Sequence, residues 1–210
     1  MIVHPKFAFV HLPKTGGTSI INYLLQNIPD TQRPNLKSHS PAKMIKGQYP
    51  FIFGSIRNPW DWYVSMYEFN FIEETPYSYL VRNRTFKEFL EHIFSITETV
   101  ERTNFEQMNE MNIGLLTNFF LITFCGSYDL NFHWIVNEVI RIENLYTELP
   151  LMFKKFIFPL TEQQIANLKS FPRLKTSKRE RDYRRYYNEK TKNLIKEKDK
   201  YIIQTFHYEF

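Results

Sequence analysis

Phe7-Ala8-Phe9-Val10-His11-Leu12-Pro13-Lys14-Thr15-Gly16-Gly17-Thr18-Ser19-Ile20 is the stretch whose reading decides the fold. It opens as an apolar run with the composition of a buried strand and breaks at a proline. After a lysine and two glycines it restarts as a helix, expected from Thr18 to Gln26. Such a turn is the build of an oxyanion cradle. Glycines let backbone N–H groups turn inward, the helix aims its first donors and its dipole at the same point, and Lys14 adds a full positive charge. Lys14, Thr15, Gly16, Gly17, Thr18 and Ser19 are therefore the candidate phosphate-holding residues. A Gly-Gly turn also has a purely structural use, so the reading needs a second segment.

Pro50-Phe51-Ile52-Phe53-Gly54-Ser55-Ile56 reads as another buried strand and runs into Arg57-Asn58-Pro59-Trp60-Asp61-Trp62-Tyr63-Val64-Ser65. Pro59 suits the first turn of a helix, where its missing N–H costs nothing, and Asn58 before it is a cap. The helix is expected from Pro59 to Asn70. The strand thus delivers Arg57 to a helix entrance, and an arginine fork can donate two bonds to one phosphate. Two phosphate-binding segments at the carboxyl ends of strands fit one nucleotide lying across the edge of a parallel sheet.

The order of residues narrows the chemistry. A nucleotide triphosphatase loop reads G-x-x-x-x-G-K-[ST], with its lysine after the glycines, whereas Lys14 precedes them. The arrangement P-K-T-G-G-T-S resembles the 5′-phosphosulfate loop of sulfotransferases that use 3′-phosphoadenylyl sulfate (PAPS). The second segment resembles the R-N-P-x-D-R-x-x-S stretch of the same family, which implies that Arg57 and Ser65 bind the 3′-phosphate; Trp62 departs from it, standing where arginine is frequent. Arg141-Ile142-Glu143-Asn144-Leu145 resembles the family's R-x-E-N-L junction of strand and helix, with a strand expected near Val139 to Ile142 and a helix from Tyr146 to Phe156. Arg141 and Glu143 read as a structural ion pair or as a direct substrate contact, and both stay open. The basic loop 173–179 with the Tyr183–Phe210 part resembles the small bacterial-type carbohydrate sulfotransferases, sulfotransferase family 2-like.

That resemblance implies an α/β, P-loop-like three-layer fold, with a central parallel sheet of four to five strands flanked by helices and a helical carboxyl-terminal part, in a single domain over 1–210. It implies PAPS as co-substrate, adenosine 3′,5′-bisphosphate (PAP) as product and no metal, with a hydroxyl of a carbohydrate or glycolipid as acceptor. Lys14 would meet the leaving-group oxygens. His39, in a His39-Ser40-Pro41-Ala42 element resembling the family's H-x-x-A, is the expected base, since a neutral imidazole near pH 7 is matched to taking a proton from an alcohol. Capping of the Pro41 helix is the alternative use of His39, and Glu73 or Glu74 are the substitutes. His11 is expected to pack or bond near the loop, and His4 to lie at a frayed terminus. Two rival functions are carried: a P-loop kinase-like phosphotransferase, disfavoured by lysine order and by the lack of an acidic magnesium ligand after an apolar strand, and a non-catalytic nucleotide- or glycan-binding member of the fold.

Composition sets the remaining bounds. A length of 210 residues suits one α/β domain, and 43% hydrophobic residues, with 20 Phe and 13 Tyr, exclude a disordered or fibrous chain. The single cysteine, Cys125, cannot form an internal disulfide and is expected to be a buried structural thiol. No run is long enough for a membrane span, and Met1 to Lys6 leads directly into the first strand, so a cytoplasmic location is expected. Of the net charge of +5, the segment 173–200 holds 12 Lys and Arg against 5 Asp and Glu. That excess is a solvated helix face, a nucleic-acid patch or a lobe facing an anionic ligand; no recognised motif supports nucleic acid. Ser40-Pro41 predicts a short helix to about Lys46. The polar stretch Thr97 to Asn112 is an acceptor lid or a surface loop.

Overall fold

The computed structural model describes residues 1–210 apart from 38, 73, 74, 76, 101, 102, 129, 132, 173 and 175–179. Along the chain run β1 (Ile2–His4), β2 (Phe7–His11), α1 (Gly17–Asn27), a 3₁₀ turn (Ala42–Ile45), β3 (Ile52–Ile56), α2 (Pro59–Ile72), α3 (Ser78–Val81) and α4 (Phe86–Ile93). A hairpin of β4 (Thr99–Val100) and β5 (Thr103–Asn104) follows, then α5 (Phe105–Glu110), α6 (Leu115–Phe120), a π-helical turn (Leu121–Cys125) and β6 (Glu138–Arg141). The chain closes with α7 (Leu145–Phe156), α8 (Glu162–Ser170), a 3₁₀ turn (Tyr183–Tyr186), α9 (Glu189–Lys198) and α10 (Lys200–Phe206). The residues gather into two compact units, Met1–Arg57 with Phe120–Thr176 and Asn58–Phe119 with Ser177–Phe210.

The first unit holds a four-stranded sheet in the order β1-β2-β3-β6, parallel except for β1. β2 and β3 are buried along their whole length, which is why both read as unbroken apolar runs. Phe7, Phe9 and Phe53 point to one face, where Ile20, Tyr23 and Leu24 of α1, Leu149 and Phe153 of α7 and Leu168 of α8 complete the core. The register sets His11 beside Ser55 and Ile56 beside Arg141, so the strands of the parallel part end at one level. The site is built on that edge.

Some expectations change here. His4 is not frayed: Ile2, Val3 and His4 form an antiparallel edge strand, and His4 stacks on Phe7 at 4.7 Å. Two apolar runs joined by Pro5-Lys6 make a hairpin, and hydrophobic burial holds the terminus. Past Pro41, a single 3₁₀ turn forms, and Pro41 itself, not Ser40, stands at its cap position without a side-chain cap bond. The stretch Thr97 to Asn112 contains a hairpin and a helix whose Phe105 and Met108 are buried. Arg141 pairs with Glu148: its backbone N–H donates to Oε2 at 2.7 Å and its Nε to Oε1 at 2.8 Å. A helix of α7's pitch brings position 148 back over the strand end, which sequence proximity to Glu143 does not reveal. Cys125 is buried, as expected.

The second unit packs around α2, whose described side chains are all buried or half-buried. Trp62 is fully buried, edge-on to Tyr63 at 5.0 Å and Phe119 at 6.0 Å. The departure from arginine at this position therefore serves the core of the unit. Among the described residues, no helix is long and apolar enough to cross a membrane.

Candidate active site

The loop between β2 and α1 is shaped by two residues in the left-handed region, Lys14 at φ 63° and Gly16 at φ 74°. For a lysine this backbone costs on the order of 1–2 kcal/mol, strain of the kind that gathers at ligand-binding loops. Left-handed residues bend successive N–H groups toward one side in the manner of an anion-binding nest. α1 then starts without a side-chain cap and with no acidic residue in its first turn. Its leading amides have no acceptor within the helix, so they and the dipole favour an anion.

The glycines are required by space as well as by φ. A Cβ on Gly16 would stand 2.5 Å from Cδ1 of Ile142, and one on Gly17 would stand 2.0 Å from Cδ2 of His11. The loop is thus clamped between the residue after β6 and the last residue of β2.

Hydroxyl chemistry ties the loop to β3. Thr15 and Ser55 are both fully buried, with their oxygens 3.1 Å apart. Thr15 Oγ1 donates to the Leu12 carbonyl at 3.0 Å, and Ser55 Oγ donates to the Thr15 carbonyl at 3.1 Å. The Thr15 hydroxyl is accordingly spent on the scaffold, leaving its backbone N–H for a ligand. Arg57, one residue beyond β3, reaches back and donates from Nη1 to the Lys14 carbonyl at 3.2 Å. That bond brings the two sequence segments to one place. Ser19 Oγ accepts from the Leu174 N–H at 3.0 Å, which sets residue 174 over the first turn of α1. The basic residues around it, 173 and 175–179, lie outside the described residues, as do Glu73 and Glu74.

His39 comes to the same edge. Its Nδ1 lies 3.4 Å from the His11 carbonyl, and the two rings have centroids 4.5 Å apart. His11 is 5% exposed, and burial, followed by the neighbouring His39, holds its pKa well below the usual imidazole range. Its Nδ1 is buried with no hydrogen-bond partner. The sequence expects His11 to pack or bond near the loop, and it does so against Gly17; the period-2 rule sets it on the face of Phe7 and Phe9, toward α1. The sequence does not single out Ser55.

Ser65 lies in the second unit, buried on α2. Asn58 acts as the cap, its Oδ1 accepting from Trp60 N at 3.1 Å and Asp61 N at 3.4 Å. Its Nδ2 also donates to the Glu209 carbonyl at 2.8 Å. Among the described residues, no group of three or more His, Cys, Asp and Glu is placed to hold a metal ion.

No protein-family model matches the sequence, and none of the curated proteins does. Among solved structures the chain is similar to a crystal structure of mouse sulfotransferase SULT7A1 complexed with PAP, with a TM-score of 0.55 over 92% of this chain and 83% of that one. The chain has a sulfotransferase fold. Identity to that chain is 16%, so the likeness is one of architecture, and the reading of chemistry rests on the residues just described. In this sulfotransferase fold, Lys14, Gly16, Gly17, Arg57 and His39 gather at the carboxyl edge of β2 and β3.

Proposed function

We propose that this chain is a PAPS-dependent sulfotransferase that moves a sulfuryl group to a hydroxyl of an acceptor, with a carbohydrate as the acceptor class. The observation that carries the reading is the Arg57–Lys14 bond, which joins two anion-binding segments at one sheet edge. The donor fits the residues present: an uncapped helix start, two glycines without room for a Cβ, a left-handed lysine and an arginine fork. When bound, PAPS supplies a sulfuryl group already joined to a phosphate leaving group.

This chain's residues have separate tasks. Main-chain N–H groups of Thr15, Gly16, Gly17 and Thr18, with the hydroxyls of Thr18 and Ser19, hold the 5′-phosphate. Arg57 and Ser65 hold the 3′-phosphate. Lys14 offsets the negative charge that grows on the departing phosphate. His39 takes the acceptor's proton as the new O–S bond forms, with no metal in the step. The fold of the PAP-bound mouse enzyme supports the nucleotide assignment; the carbohydrate acceptor and a cytoplasmic location rest on the sequence resemblance and the lone buried thiol.

Calorimetry with PAP tests the reading. Wild type binds, and Arg57→Ala loses on the order of 2 kcal/mol, about 30-fold, because a charged ligand group is left unpaired. Equal affinity for both proteins removes the 3′-phosphate assignment, and binding of ATP with magnesium in place of PAP turns the reading to a kinase. Labelled PAPS offered with sugars, phenols and lipids then identifies the acceptor.

A further inference from the structure

His11 has no place in the transfer as described, yet it is built into the site. Its ring occupies the space a Cβ on Gly17 would take, with Cδ2, Cγ and Nε2 all within 2.7 Å of that position. It also stacks on Phe9, with centroids 5.9 Å apart and planes at 13°. The ring is wedged between a strand neighbour and the start of α1. Its buried Nδ1 makes no hydrogen bond. An unpaired lone pair costs less there than an unpaired N–H, so the single proton of the neutral ring belongs on Nε2, along Gly17. A second proton would have no acceptor. The charged groups acting on the ring are His39, the Met1 amine and Arg33, and each opposes a positive His11.

The contact with His39 is of another kind. A carbonyl oxygen only accepts, so the 3.4 Å approach of His39 Nδ1 to the His11 carbonyl, at the long end of hydrogen-bond distances, requires the proton on Nδ1. The lone pair of neutral His39 then lies on Nε2.

We propose that His11 is the positioning residue of the base: its carbonyl fixes His39 with the proton on Nδ1, and its wedged ring seats the His39 ring, leaving Nε2 of His39 as the atom that takes the acceptor's proton. This rests on the reading of His39 as the base. As His39 Nε2 gains that proton, the ring becomes a cation with two N–H groups. The His11 carbonyl holds one of them, and the uncharged His11 ring lies alongside without repelling it.

The test needs no acceptor at first. In ¹⁵N-labelled wild-type protein, the imidazole nitrogen shifts are expected to show His39 with Nδ1 protonated and His11 with Nε2 protonated, His11 staying neutral while His39 titrates. His11→Ala removes the seat, so His39 becomes a mixture of tautomers with a shifted titration midpoint. His11→Phe, which restores a flat uncharged ring, returns both to the wild-type values. PAP affinity stays within about threefold in either variant. With an acceptor in hand, kcat of His11→Ala falls about tenfold at nearly unchanged KM and recovers in His11→Phe. Wild-type His39 protonated on Nε2, or a His39 titration indifferent to His11→Ala, overturns the inference even where PAP binds normally. Failure of wild type to bind PAP overturns the sulfotransferase reading and the base with it, and the wild-type spectrum separates these two failures even if the variants do not fold.

Discussion

Replacing Asp199 with asparagine removes one source of pH dependence from the second unit's stability between about 4 and 7. Asp199 is fully buried at the junction of α9 and α10. Its Oδ1 accepts from the Thr117 N–H at 2.8 Å and the Thr117 hydroxyl at 2.7 Å, and its Oδ2 from the Tyr63 hydroxyl at 2.8 Å. The Tyr63 oxygen in turn accepts from the Leu115 N–H at 2.8 Å. Gly114 leaves the carboxylate its space, since a Cβ there would lie 2.2 Å from Oδ2. Burial pushes the Asp199 carboxyl up from 3.8 to about 6, against the hydrogen bonds from Thr117 and Tyr63 that favour the charged form.

The sign follows from which state holds the proton. Below pH 3.8 the carboxyl is neutral in both states and no burial penalty applies. Between 3.8 and about 6 the folded chain keeps a proton that the unfolded chain has lost, so stability falls as pH rises. Above 6 both are ionised and the full penalty stands. A shift of about two units at roughly 1.4 kcal/mol each gives about 3 kcal/mol. The variant forfeits part of the hydrogen bonding, but that loss is the same at every pH. Urea unfolding of both proteins at pH 4, 5, 6 and 7 therefore shows the variant gaining about 2.4 kcal/mol on wild type across the range, since part of the effect is already present at pH 4. Other titrating groups, among them the Met1 amine lowered by burial to about 6, are common to both and cancel. A constant gap refutes the reasoning and means that the three donors keep Asp199 ionised at ordinary pH.

Lys14→Ala lowers kcat more than it raises the dissociation constant for PAP, because its charge matters most as the phosphate departs; an unchanged kcat makes Lys14 a binding residue alone. His39→Ala binds PAP and melts as wild type does while losing roughly 10² to 10⁴ of kcat, and near-normal sulfation moves the base elsewhere. Gly17→Ala drives a methyl into the buried His11 ring, at a cost of about 1–3 kcal/mol in thermal or urea unfolding. A variant that melts with wild type places the His11 ring elsewhere.

What sequence reveals about this chain tracks the range of the interactions involved. The loop from Pro13 to Ser19 and the capped start of α2 are local, since proline, glycine and asparagine act on their own backbone, and both stand where the residues put them. The buried strands are legible because burial on two faces leaves an unbroken apolar run. The partners of the site are not local. Thr15 with Ser55, Arg57 with Lys14 and His11 with Gly17 each depend on strand register and on which face a residue takes, and composition carries no trace of either. Arg141 shows the limit: its pairing with Glu148 depends on the pitch of α7. Trp62 shows a further one, because a residue leaving a familiar pattern can signal a change of core rather than of chemistry.

Part of the carboxyl-terminal charge is paired within the second unit. Among its described residues, Arg184 pairs with Asp182, Arg185 with Glu180, Lys190 with Glu91 and Lys192 with Glu189, exposed pairs of small individual worth. The aromatic residues between these charges converge on Phe210, which meets Trp60, Tyr183 and Tyr187 edge-on at 5.5, 5.9 and 5.6 Å, with Lys192 over its ring at 4.8 Å. Trp60 donates from Nε1 to the Lys192 carbonyl, and the Tyr187 hydroxyl donates to the Trp60 carbonyl. Asn58 closes the set by capping α2 with one side-chain atom and holding the Glu209 carbonyl with the other. Residues 183–210 thus brace the helix that begins immediately after Arg57. Tyr183 and Tyr187 of this segment are packed into that brace.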